Sequence, residues 1–250
     1  MNIIQRSSIP VYQQIFTFLL QTYRAKYLLQ NITLISIRQA KVPRLIQLSY
    51  KLRQRLIWFA DMLRSYLTET VITLSTEAMT AAMVKAEDID EMSTIHIKYV
   101  ARLQEQSLLS ENLRPIHKAI ISLLDLGVLF SEVHSQDTQK KETTTSQVAI
   151  PKSPAKPMSK GSRRKSFIPA IVENDSSDSD SPGDRDEEGE RQKDSNQTSF
   201  SENLKSIDEQ LGKLLPFVTA GLRSVGRVGA EPIWEMLAER LEWDKKKDKV

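Results

Sequence analysis

From residue 43 onward, apolar side chains recur every three or four positions: Leu45, Leu48, Leu52, Leu56, Phe59, Leu63, Tyr66 and Leu67. A strand alternates its faces every two residues, so this spacing lines one face only on an α-helix. A stripe sustained over so many turns requires a helix buried along its length, and therefore other elements to bury it. Glycine usage agrees. Across residues 1 to 135 the single glycine is Gly127, inside the apolar run "AIISLLDLGVLF". A glycine-rich phosphate loop, a dinucleotide fingerprint or a nucleophile elbow cannot be built there.

The remaining elements read as helices too. Ser7 or Ser8 is placed to cap a first helix, Pro10 suits its first turn, and Val11, Ile15, Phe18, Leu19 and Leu29 share one side as it continues toward Gln39. Pro43 opens the second helix, which runs on through "TETVITLSTEAMTAAMVKA" with a break expected near Thr73 to Thr76. Asp88 and Glu91 form a capping box for a third helix through Leu109, and Pro115 stands in the first turn of a fourth that ends near Glu132. Later, Leu204, Ile207, Leu211, Leu214, Leu215 and Val218 resume helical spacing, with Pro216 expected to kink or split the helix. Pro232 starts a last helix carrying Ile233, Trp234, Leu237, Leu241 and Trp243.

The reading is all-α, a helical bundle over residues 1–135 and helices over 200–245, interrupted by a disordered charged insertion over 136–199. The insertion has too few apolar residues to offset the entropy of ordering it. Its charges fall in opposed blocks, eight basic residues and one acid in 140–165, then nine acids and Arg185 in 173–190. Arg163 and Arg164 precede Ser166 as basophilic kinases prefer, and acids stand three residues after Ser177 and Ser181, so these three serines are candidate phosphorylation sites. "SRRK" also fits a nuclear import signal.

Catalytic and metal chemistry find little purchase. There is no cysteine, which rules out disulfides, thiolate zinc sites and cysteine nucleophiles and fits a reducing compartment. His96, His117 and His134 lack metal-ligand spacing and read as packing or surface residues. Asp88 and Asp90 read as helix-start carboxylates rather than an acid/base pair. The apolar run "VYQQIFTFLLQTY" is stopped by Arg24 and Lys26, short of a membrane span, and contains Gln13 and Gln14, unlike a signal peptide. A non-enzymatic chain with no cofactor, metal or membrane contact is expected.

Charge is the remaining functional signal. Residues 1–64 carry ten Lys/Arg against one acid, Asp61, whereas residues 65–135 carry five basic residues and ten acids. At 100° per residue Arg44, Lys51 and Arg55 lie within about 40° of one another beside the apolar stripe. This basic strip either contacts an acidic protein partner or is balanced by the acidic helices that follow. Nucleic acid is the poorer fit, because the aromatics interleave with the core rather than with the strip.

Four stretches in order, "VYQQIFTFLLQTYRAKYLLQ", "LRQRLIWFADMLRSYLTETVI", "AEDIDEMSTIHIKYVARLQEQSLL" and "LRPIHKAIISLLDLGVLFSE", resemble the C-terminal half of the gamma-tubulin complex components. The last is most similar to the fifth component of filamentous fungi. The resemblance implies an elongated helical bundle forming part of the gamma-tubulin-binding C-terminal domain, with the final helices returning to pack on it. It also implies that much of that domain, and the N-terminal domain that packs laterally on neighbouring components, lie upstream of Met1. The implied role is a scaffold that holds gamma-tubulin for microtubule nucleation at a cytoplasmic organizing centre or spindle pole. Its implied partners are gamma-tubulin and the other components. The alternatives are a generic helical adaptor that binds partner helices, and a small enzyme built into a bundle, for which no inward cluster of carboxylates and histidines can be assembled.

Overall fold

The computed structural model describes residues 4–32, 43–146, 187–228 and 232–247, with side chains described for 4–32, 43–136, 198–227 and 232–242. The described residues form helices and turns, with no strand among them: α1 (Ile9–Asn31), α2 (Pro43–Ser65), a π-helical stretch (Tyr66–Thr73), α3 (Leu74–Met83), α4 (Ile89–Gln106), α5 (Arg114–Ser146), α6 (Glu187–Val228) and α7 (Ile233–Lys247). α5 is central, packed against α1, α2 and α6, and α7 lies against α6 and α2. One continuous apolar core runs through these elements except α3, from Phe18 of α1 to Leu241 of α7.

α1 starts as its sequence suggests, with Ser8 at the N-cap and Pro10 in the first turn, although the Ser8 side chain makes no capping hydrogen bond. Its buried face is Ile15, Phe18, Thr22, Ala25 and Leu29, spaced three and four apart. Thr22 is tolerated there because its hydroxyl donates to the Phe18 carbonyl at 3.0 Å. Small Ala25 lets α5 approach, and Gly127 completes the crossing: a Cβ on Gly127 would lie 3.2 Å from Leu29 Cδ1 and 3.8 Å from the Ala25 Cβ. A glycine inside an apolar helix thus marks close backbone packing.

α1 ends at Asn31, with Ile32 extended, earlier than the expected run toward Gln39. Arg53 of α2 supplies the reason. Its Nε donates to the Leu29 carbonyl at 2.9 Å and its Nη2 to that of Gln30 at 3.1 Å, satisfying carbonyls that a longer helix would have used internally.

The break expected near Thr73 to Thr76 is instead the π-helical stretch, which keeps the chain helical while rotating its buried face onto Tyr66, Leu67 and Val71. Threonine hydroxyls serve the displaced carbonyls: Thr68 donates to Arg64 O at 2.9 Å, and Thr73 donates five residues back to Thr68 O at 2.8 Å. Beyond it, α3 buries only Ser75 and pairs with α4.

α4 opens on the expected box, Asp88 Oδ1 accepting from Glu91 N at 2.6 Å. The return bond lands one residue earlier than usual, from Glu87 N to Glu91 Oε2 at 2.9 Å. The helix stops at Gln106 rather than Leu109, because Leu108 turns left-handed with φ of 63°. Leu108 N then bonds Glu105 O and Leu109 N bonds Gln104 O, both at 3.0 Å, the double closure of a Schellman cap.

α5 continues past Glu132 to Ser146, and α6 begins at Glu187, ahead of residue 200. Both helices extend into the segment read as the insertion; for α5, residues 136–146 contain no Gly or Pro to stop it. Residues 147–186, with Ser166, Ser177, Ser181 and the "SRRK" run, lie outside the described residues. Pro216 does not split α6, which passes through it to Val228. The Thr219 hydroxyl donates to the Pro216 carbonyl at 2.9 Å just beyond that site. α6 packs tightly on both partners. A Cβ on Gly221 would come within 2.9 Å of Ile116 Cγ1, and one on Gly226 within 3.3 Å of Glu235 N.

Candidate partner interface

The basic strip occupies one edge of α2, but its three members do not share one environment. Arg44 and Lys51 are exposed, and neither forms an ion pair among the described residues. Arg55 is half-buried and stands 3.7 Å from the Asp208 carboxylate of α6. Its counter-charge therefore comes from the helix beyond residue 200, not from residues 65–135. The other α2 cations also have internal uses. Arg53 closes α1, and Arg64 lies 3.7 Å from Asp61. Asp61 itself sits 2.5 Å from Lys26 of α1, so the single acid of residues 1–64 ties α1 to α2. What remains for an external acidic partner is the N-terminal part of the strip.

The three histidines pack between helices. His96 is buried and its Nε2 lies 3.0 Å from the Tyr12 hydroxyl, linking α4 to α1. Burial, then the nearby Tyr99, raise the Tyr12 pKa above its ordinary 10.0. His117 meets Phe18 edge-on at 4.7 Å between ring centroids, and burial lowers its pKa below 6.5. His134 Nδ1 lies 2.8 Å from the Phe130 carbonyl, and its ring packs on Phe130 and Phe200, joining α5 to α6. Among the described residues no group of three His, Asp or Glu side chains is placed to hold a metal ion.

Two surfaces escaped the sequence reading. A groove of about 530 Å³ runs between α1 and α5, lined by Gln13, Gln14, Gln21 and His117 among others. α1 also presents a second apolar face, Phe16, Leu20, Tyr23 and Tyr27, all exposed. The signal for that face was present in the sequence as a second set of three- and four-residue spacings, masked because the same helix carries a core stripe.

The surface that an arrangement of this kind offers is a set of helix faces, with charge at one edge and aromatics at another. The sequence model of the gamma tubulin complex component C-terminal family matches residues 2–245. The chain belongs to that family. The resemblance carried by the four ordered segments is thereby borne out. Among curated relatives, gamma-tubulin complex component 5 of Macaca fascicularis is 24% identical over 147 residues, 49% of this chain and 20% of the relative. Gamma-tubulin complex component 5 of Mus musculus is 25% identical over 147 residues, again 49% of this chain and 14% of the relative. The matched stretch thus spans a fifth or less of each relative's length.

Proposed function

We propose that this chain acts as a non-enzymatic scaffold segment of a gamma-tubulin complex component, binding gamma-tubulin and other components and supporting microtubule nucleation at a microtubule organizing centre or spindle pole. The observation that carries the reading is the family match along nearly the whole chain. The all-helical core, whose histidines serve packing, supports a binding role over a catalytic one. Arg44 and Lys51 are the strip residues proposed to meet an acidic partner, with Arg55 behind them held toward Asp208. Residues 136–199 are proposed as a charged surface insertion modified at Ser166, Ser177 and Ser181, which phosphate mapping of the protein from cells would test.

The deciding experiment is capture of purified gamma-tubulin by the immobilised chain, with and without Arg44→Glu and Lys51→Glu together. Capture that weakens chiefly through slower association, and more so at low salt, supports the strip as a steering surface. Absence of capture by the folded chain overturns the reading and leaves the generic helical adaptor, which the exposed second face of α1 favours.

A further inference from the structure

α1 buries one face against α2 and α5, yet Phe16, Leu20, Tyr23 and Tyr27 on another are 62, 52, 46 and 66% exposed. At 100° per residue these four fall within an arc of about 60°, centred about 150° round the helix from the buried set. Their four-three-four spacing is that of a coiled-coil seam. Ile9 continues the line one heptad before Phe16, also exposed. Together the four side chains leave on the order of 400 Å² of contiguous apolar surface in water, within the range of the largest patch on a monomer, which is often a functional one.

What covers such a seam is constrained by its surroundings. No charge lies within it, and α1 contains no acid at all. Gln13 and Gln30 extend it at either end in the same phase. A partner chosen by charge would meet rows of flanking charges, whereas the positions beside this seam are Tyr12, Thr17, Leu19 and Asn31, with Arg24 exposed and Lys26 already held by Asp61 at 2.5 Å. The seam is also matched to its own reverse. About a point midway between residues 21 and 22, Gln13 corresponds to Gln30, Phe16 to Tyr27 and Leu20 to Tyr23.

We propose that this face of α1 pairs antiparallel with α1 of a second copy, about a two-fold axis crossing the helix between residues 21 and 22. Phe16 then stacks on the partner's Tyr27, and Leu20 packs on the partner's Tyr23, while tyrosine hydroxyls and glutamine amides hydrogen-bond at the rim. The two seams bury on the order of 800 Å², and the flanking stems bring the total near the lower bound of about 1,200 Å² for specific association. A reversible dimer with Kd on the order of 10 μM is expected. This pairing is independent of gamma-tubulin.

The full chain is examined by sedimentation from about 1 to 300 μM. A dimer that forms across this range, and whose Kd rises about 30-fold or more in Leu20→Glu with unchanged helicity, supports the proposal. The chain has no cysteine, so register is read by a short bis-maleimide linker. Leu20→Cys chains mixed with Tyr23→Cys chains should cross-link in preference to Phe16→Cys chains alone. A monomer at every concentration overturns the proposal, including one that instead captures a synthetic amphipathic helix with glutamate flanks. So does a dimer indifferent to Leu20→Glu, or preferential Phe16→Cys self-linking, which would mean parallel pairing.

Discussion

The Tyr66 hydroxyl donates a 2.7 Å hydrogen bond to the backbone carbonyl of Gln106, forty positions away in sequence. It joins the start of the π-helical stretch to the end of α4. The Gln106 side chain is held as well, its Oε1 accepting from the Ser75 hydroxyl of α3 at 3.2 Å. All three residues are buried. Tyr66→Phe leaves the carbonyl without this donor, so a loss of about 1–3 kcal/mol is expected in urea unfolding. An unchanged midpoint would mean that water replaces the hydroxyl.

Leu108 is fully buried at a φ of 63°, a conformation that favours glycine. Truncation should therefore invert the usual order. Leu108→Ala loses the buried side chain and keeps the strain, at a cost of about 2–5 kcal/mol. Leu108→Gly loses the same packing but relieves the strain, and is expected to be about 1 kcal/mol more stable than Leu108→Ala. Equal or reversed midpoints would contradict the strained cap.

Two glycines of α6 should respond oppositely to alanine. Nothing lies within 4 Å of a Cβ on Gly212, so Gly212→Ala should stabilise by about 0.5–1 kcal/mol through helix propensity. On Gly221 the Cβ would meet Ile116 Cγ1 at 2.9 Å, and Gly221→Ala should destabilise by about 1–3 kcal/mol as α5 and α6 are forced apart. Thermal melts of the two variants side by side provide the check.

Acid should weaken the bundle through His117. Burial lowers its folded pKa below 6.5, so near pH 6 the unfolded chain binds more protons than the folded one. The stability from keeping His117 neutral is complete above about pH 6.5 and is lost as pH falls from there toward the folded pKa. The melting temperature should drop between pH 7.5 and 5.5, and drop less in His117→Gln. An equal drop in both would assign the acid sensitivity elsewhere.

The Arg55–Asp208 pair is partly exposed and worth at most about 1 kcal/mol. Arg55→Glu should destabilise modestly, and adding Asp208→Lys should recover part of the loss. A double variant no better than Arg55→Glu alone would show that the pair does not couple α2 to α6.

Much of the fold was legible because helical periodicity is a local property, set by 3.6 residues per turn wherever the core lies. Leu52, Leu56, Phe59 and Leu63 were readable as one buried face, and all four are buried. Asp88 with Glu91 was readable as a cap because the contact spans a single turn. The strip of Arg44, Lys51 and Arg55 was readable as a set of positions, but its division was not. Arg55 faces Asp208 only because α6 packs beside α2.

By itself, the sequence determined the helical class and the inward faces, which follow from residue type and short spacing, and its match along residues 2–245 places it in the family. Tertiary structure decided where neighbouring helices meet. Arg53 ends α1 by reaching carbonyls that come near only in the fold, and Gly127 is tightly surrounded only because Leu29 and Ala25 cross it. The two apolar faces of α1 show the same division. Period alone marks Phe18 and Phe16 as equally fit for burial, and it is the placement of α2 and α5 that covers one and leaves the other in water.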